Sequence, residues 1–406
     1  MRDKRIFLLI ILISVLLSFF LLYLVGVFLE NGIQTNRDTS MDAAGSVIET
    51  SDGGYAIAGL TQTVGTEDGD FWLIKTDKDG NEEWNRTYGE EKFETAHSLV
   101  ETSDGGYALA GDTQSFGAGD SDYWLVKTDE NGNEEWNQTY DKGADERARS
   151  LVEASDGGYV LAGDISYSSV DLDYGWYEAW LVKTDENGNM EWDRTYGREG
   201  FDGAYGLVEA SDGGYVLAGF TQMIWGDGWN DFWLVKTDPN GNSDWSKTYG
   251  GDRPQNAYGL VEASDGGYVL VGFTDFSDAE RSAFWLVKTD KDGDMVWNQT
   301  FRGNYDYAWD LVEVPDGGYA LVGRTDYLAP EGYDVVLIKT NQNGNVEWTK
   351  TYGVSEMSEE AYSLVVTSDG GFIMAGYTCS SGYEYPDFWL TKTDANGNMQ
   401  WNRTYG

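Results

Sequence analysis

Two kinds of apolar pattern run along the chain. The first is one uninterrupted run, Ile6 to Phe28, of 23 residues without a charge. A membrane-spanning helix needs about 20 such residues, whereas the apolar core of a secretory signal has about 7–15. Arg2, Lys4 and Arg5 precede the run, and no convincing small-residue cleavage site follows it. The reading is a signal anchor with residues 1–5 in the cytoplasm and everything beyond about Glu30 outside. A cleaved signal peptide is the alternative, and it exports the rest of the chain equally. Residues 29–43 are largely polar and read as a tether.

The second pattern is a set of short apolar segments that recurs seven times, anchored at Asp52, Asp104, Asp156, Asp212, Asp265, Asp316 and Asp369. The repeats span about 44–89, 96–140, 148–197, 204–250, 257–303, 308–353 and 361–406. Repeat 2 shows four strands: A (Ser98 to Glu101), B (Tyr107 to Gly111), C (Tyr123 to Lys127) and D (Glu135 to Tyr140). Asp104-Gly105 stands between A and B, and Asn131-Gly132 between C and D. Such dipeptides favour two-residue type I′ hairpins, so A pairs with B and C with D. Beyond Phe28 no segment sustains a 3.6-residue period.

Strand C is apolar at successive positions, as in Trp233-Leu234-Val235, so both its faces must be buried. A four-stranded blade sandwiched between two others meets that need. The expected fold is all-β: a seven-bladed β-propeller over residues 44–406, of four-stranded antiparallel blades, preceded by one transmembrane helix. A solenoid is the alternative, but its end repeats are atypical, and here the first and last are as regular as the rest. The chain stops directly after the last strand D, so the ring is expected to close by face packing of blade 7 on blade 1, without strand exchange.

Composition narrows the function classes. There are 70 acidic and 27 basic residues, a formal net charge of -43, and 17 Trp with 27 Tyr. The aromatics argue against a disordered acidic chain. The charge argues against nucleic acid as a partner. Cys379 is the single cysteine and His97 the single histidine, which excludes an intrachain disulfide and histidine-rich zinc sites.

The hairpin K-T-D-x-N-G-N-x-x-W, as in Lys236 to Trp245, resembles the tryptophan-docking hairpin of pyrroloquinoline-quinone-type propellers. The full pattern, S-D-G-G-Y-x-L-A-G through W-L-V-K-T-D-x-N-G-N-x-x-W-x-x-T-Y-G, resembles the uncharacterised propeller repeats of prokaryotic, notably archaeal, cell surfaces. The resemblance covers about residues 44–406. It implies the fold and an exported location, and no activity. The quinone enzymes' cofactor acids and metal site have no match here, so no cofactor is carried over.

Residues shared by every repeat build the ring. Trp84, Trp136, Trp192, Trp245, Trp297, Trp348 and Trp401 recur once per repeat and read as packing. Asp77, Asp79, Asp290 and Asp292 are spaced like the first acids of a calcium loop, but their Gly falls where the hairpin turn needs it. Turn chemistry is therefore the leading reading and Ca2+ the lesser one. Asn85, Asn137, Asn298 and Asn402 open N-x-T sequons on strand D and are candidate glycosylation acceptors.

Function is expected where the repeats differ. The B–C and D–A loops vary and share one end of the ring, carrying Trp176, Trp225, Trp229 and Tyr383 among acids. A second variable set follows an invariant Ala at the start of strand A: Gly45, His97, Arg149, Tyr205, Tyr258, Trp309 and Tyr362. The next position is small (Ser46, Ser98, Ser150, Gly206, Gly259, Ser363) except at Asp310, the leading single candidate for a role in the channel. Exposed aromatics beside acids suit sugars or basic protein patches. The leading expectation is a cell-surface binding module for glycan or protein, with no catalytic residue assigned. A carboxylate-based glycoside-cleaving enzyme and a purely structural envelope protein are the alternatives.

Overall fold

The computed structural model describes residues 40–63, 66, 68–167, 176–197, 200–223, 229–276, 281–302, 306–326, 332–353, 357–380 and 386–406. The apolar run at residues 6–28 lies outside them. Among the described residues no helix is long and apolar enough to cross a membrane.

Each repeat forms four strands that pair antiparallel in chain order. In repeat 2 these are Glu94–Glu101, Tyr107–Thr113, Asp122–Thr128 and Glu134–Tyr140. All residues of its strand C are buried, as the unbroken apolar pattern requires. A single parallel bridge, Tyr177 to Phe201, also links the sheets of repeats 3 and 4. Apolar side chains of each sheet interlock with the next: Phe71 and Leu73 of repeat 1 pack with Leu99, Leu109 and Trp124 of repeat 2. Repeat 7 packs on repeat 1 in the same way, through Ile373, Phe388 and Leu390 against Val47, Ile57 and Ile74. The architecture is that of a β-propeller.

Closure uses no exchanged strand. Ser40–Glu49 pairs with Tyr55–Thr63 of its own repeat. Strand A thus begins at Ser40, inside the stretch read as tether, because Ser40 to Ala43 continue the ladder and the Asp42 N–H donates to the Pro386 carbonyl of repeat 7 (2.7 Å).

Shared positions of the repeat meet at the junctions. The strand D indole of one repeat covers the turn glycine of the next: a Cβ on Gly132, at φ 72°, would sit 2.6 Å from Trp84. Beside it the Tyr88 hydroxyl donates to the Gly132 carbonyl (2.7 Å), and Tyr405 repeats this with Gly80 across the closing junction (2.8 Å). On the inner side, Glu101 accepts from the Ser51 hydroxyl and N–H, and Glu49 from those of Ser368. At the junction of repeats 6 and 7 these positions are Pro315 and Val366, so donor and acceptor are lost together.

The turn chemistry differs from the sequence expectation. The Thr102 N–H donates to the Gly106 carbonyl and the Gly105 N–H to the Thr102 carbonyl. This is a three-residue loop with glycine at positive φ (88°), the type I turn plus bulge rather than a two-residue type I′ turn. The reason is local. Asp104 Oδ1 accepts from the Thr102 hydroxyl and the Gly106 N–H, and its carboxylate pairs with the buried Lys127 ammonium (2.9 Å). The same Lys–Asp pair recurs from Lys75–Asp52 to Lys392–Asp369.

Burial raises the Asp52, Asp104 and Asp369 carboxyls, but hydrogen bonds from Lys, Thr and Gly and the Lys charge prevail and hold each at about 2. A carboxyl that binds its proton more weakly folded than unfolded stabilises fully above the ordinary value of 3.8, and this is lost as pH falls toward 2. The double variant Asp52→Asn/Asp104→Asn should therefore show a shallower fall in unfolding midpoint across that window. A slope equal to wild type contradicts the assignment.

Candidate functional site

Strand A is irregular at one step in every repeat. Between the invariant Ala and the second residue after it the register with strand B skips one residue. The skipped residue is Gly45, His97, Arg149, Tyr205, Tyr258, Trp309 or Tyr362, which is the variable set of the sequence. A bulge leaves its extra residue out of the ladder and re-aims the side chain. It also requires the glycine of Y-x-L-A-G, since a Cβ on Gly111 would lie 1.9 Å from the Thr95 carbonyl oxygen.

The bulged residues converge on one cavity of about 450 Å3, lined also by Ser46, Ser98, Ser150, Asp310 and Ser363. Four of them form a continuous aromatic arc. Ring centroids are 4.9 Å apart for Tyr205 and Tyr258, 4.5 Å for Tyr258 and Trp309, and 5.5 Å for Trp309 and Tyr362. The Arg149 guanidinium extends the arc over Tyr205 at 5.6 Å. Gly45 interrupts it, because a Cβ there would meet the Ala96 carbonyl oxygen at 2.8 Å.

A second tier, not anticipated from the sequence, supports the arc. It lies on strand B, 15 positions after each bulged residue. Asp112 holds the His97 ring (2.9 Å) and Asp164 the Arg149 Nε–H (3.1 Å). Phe273 stacks on Tyr258 at 6.1 Å, and Tyr377 packs on Tyr362 at 6.0 Å. The signal was present in five repeats, where polar pairs with polar (His97 and Asp112, Arg149 and Asp164) and aromatic with aromatic (Tyr205 and Phe220, Tyr258 and Phe273, Tyr362 and Tyr377) at a fixed separation. Trp309 has Arg324 at that separation and Gly45 has Leu60 instead. Glu360 ties the far side together. It accepts from Trp309 Nε1 (2.7 Å), Arg324 (3.1 Å) and the Tyr362 and Tyr377 hydroxyls (3.2 Å each). Glu360→Gln should cost about 2–4 kcal/mol, because it strips a buried charge from Arg324. Urea unfolding checks this, and an unchanged midpoint contradicts it.

Asp310 lines the cavity, but its carboxylate serves the junction. Oδ1 accepts from the Leu311 N–H and Oδ2 from the Leu364 N–H of the next repeat (2.8 Å each). Ser98 and Ser363 do the same for Leu151 (3.1 Å) and Val47 (3.2 Å). Burial pushes Asp310 up to about 6 against these two N–H donors.

The remaining candidates lie elsewhere. Trp176 stacks on Tyr167 (5.1 Å) and Trp229 is 47% exposed; neither is among the described residues lining the cavity. Trp225 and Tyr383 lie outside the described residues. Asp77 Oδ1 accepts the N–H groups of Asp79 and Asn81, and Asp290 those of Asp292 and Asp294, so these carboxylates fold onto their own turns. Asp292 itself pairs with Lys291. Asn85, Asn298 and Asn402 are exposed and Asn137 half-buried. Asn137 and Asn298 each accept from a strand C indole (3.3 Å), a role Asp193 fills in repeat 3.

No family model matches the chain, and no curated protein matches its sequence. The solved WD40 domain of Neurospora crassa Pan2 superposes with a TM-score of 0.52 at 11% identity, covering 84% of this chain and 90% of that one. The chain is a β-propeller repeat protein. Sqt1 of Chaetomium thermophilum gives 0.47 at 10% identity over 86% of this chain and 97% of that one. A Synechocystis apocarotenoid oxygenase gives 0.49 at 10% identity over 90% and 93%. Of these three the first alone exceeds 0.5, and at such identity it bears on fold alone.

Proposed function

We propose that the chain is a seven-bladed propeller, held outside a membrane by residues 6–28, that binds a glycan in its central cavity without cleaving it. The observation that carries this is the arc Tyr205–Tyr258–Trp309–Tyr362 with Arg149 and His97 completing its polar side. Sugar rings stack their C–H faces on aromatic rings and present hydroxyls to charged and hydroxyl groups. The cavity volume falls in the range of small-ligand sites, which favours a short glycan over a protein surface. The anchor is supported by the length and flanking charges of the apolar run.

Cleavage is the competing reading. Two-carboxylate hydrolysis needs a second acid facing the first across the bond. Asp310 is the one carboxylate among the described lining residues, and both its oxygens are engaged by backbone N–H groups.

A glycan array probed with the full-length chain, followed by titration calorimetry on the best binder, tests the proposal. Trp309→Ala should weaken binding roughly tenfold or more, the loss of one stacked ring. Absence of any glycan binding, unchanged affinity in Trp309→Ala, or release of free sugar would each overturn it.

A further inference from the structure

A cluster of acids stands at the junction of repeats 2 and 3, outside the cavity. At several junctions an acid opening strand C meets the side chain two positions before the invariant Ala of the next repeat. Asp70 meets Glu94, Asp122 meets Glu146, Asp231 meets Gln255, and Asp334 meets Glu359. A glycine ordinarily follows the strand D tyrosine and lies against this pair. A Cβ on Gly89, Gly250 or Gly353 would fall 2.0, 1.9 or 2.0 Å from the Asp Oδ1.

Repeat 2 departs from this pattern. Its residue after Tyr140 is Asp141. One oxygen from each of Asp122, Asp141 and Glu146 lies within 4.8 Å of the other two, the one such triad among the described residues.

Asp122 and Glu146 are fully buried, and Asp122 Oδ1 and Glu146 Oε2 accept no hydrogen bond from a described residue. No lysine or arginine among the described residues forms an ion pair with any of the three, and the nearby Lys142 ammonium is bound to Asp193. Remaining donors are few: the Lys142 and Ala144 N–H groups reach Glu146 Oε1 (3.2 and 3.1 Å), Gly143 reaches Asp141, and Gly119 lies 3.4 Å from Asp122. Burial, with the Asp141 charge adding to it, pushes Asp122 up to about 6, and burial with the Asp122 and Asp141 charges pushes Glu146 up to about 7. Three clustered acids, two of them buried, must shed charge, either by sharing a proton or by joining a cation.

The donors are all carboxylate oxygens, the choice of a hard cation rather than of zinc or copper. Calcium bonds oxygen at about 2.3–2.6 Å, so oxygens on one coordination sphere lie at most about 4.6–5.2 Å apart. The triad meets that limit.

We propose that Asp122, Asp141 and Glu146 bind a calcium ion that ties strand C of repeat 2, the loop after its strand D, and strand A of repeat 3. The site was not among the turn acids that the sequence suggested. Its mark is the single replacement of the post-strand glycine by aspartate.

The test is thermal unfolding and calorimetric Ca2+ titration of the chelator-stripped full-length chain, wild type and Asp141→Gly. The variant restores the residue of other repeats, so it folds with a calcium-free melting temperature no lower than wild type. At about a hundredfold excess over Kd, Ca2+ should raise the wild-type melting temperature by roughly 3–5 °C. Asp141→Gly should lose that shift and one equivalent of bound Ca2+. No shift in wild type, an equal shift and stoichiometry in Asp141→Gly, or an equal effect of Mg2+ would overturn the assignment.

Discussion

Each sheet of this protein is apolar on both faces, and only another copy of the same sheet can cover them. That requirement governs the rest. A strand such as Asp122–Thr128, buried throughout, is stable only between two neighbours. The repeat therefore carries the parts of a junction: an indole and a tyrosine on strand D, a glycine turn to receive them, and a serine and a glutamate on the inner side. Apart from Phe301, which replaces the strand D tyrosine of repeat 5, and Pro315 and Val366, which replace the serine and glutamate between repeats 6 and 7, every copy carries both halves, so the last repeat offers the first what each offers the next. The hydrogen bonds Tyr405 to Gly80 and Ser368 to Glu49 complete the ring with the same chemistry as its interior.

The same economy separates folding from recognition. The invariant Ala and the glycine opposite it fix a bulge in every strand A, and the bulge frees one side chain per repeat from the ladder. That side chain can change from Arg149 to Tyr258 without disturbing the sheet. The supporting residue on strand B changes with it, as Asp164 and Phe273 show. A collar with a charged side and an aromatic side thus arises on a scaffold of nearly identical units.

Much of this was legible in the sequence. Apolar periodicity and turn dipeptides give the four strands, their pairing and the face-packed closure, because these depend on local patterns that repeat. The variable set after the Ala lines the cavity as its position suggested. Besides the strand B tier, three features escaped. Ser40 to Ala43 looked like tether because strand A extends there without an apolar face, its one buried residue being Asp42, and is held by ladder bonds. The turns were assigned by their dipeptides alone, while the side chain of Asp104 and its buried lysine select a longer loop. Asp310 stood out as an exception to a rule of smallness, yet its carboxylate extends what Ser98 and Ser363 already do across the junction. The first and third misses are interactions between residues far apart in sequence, and the second joins a local side-chain cap to the distant Lys127.

Equivalence of the closing junction is the central claim, and circular permutation tests it most directly. Repeat 1 from Ser40 would be moved behind Gly406, joined by a loop as long as the one between Tyr88 and Glu94. If repeat 7 meets repeat 1 as any repeat meets the next, the permuted chain unfolds in one transition with a midpoint within a few degrees of the original order. Separate unfolding of the relocated repeat, or a collapse in stability, would contradict the account.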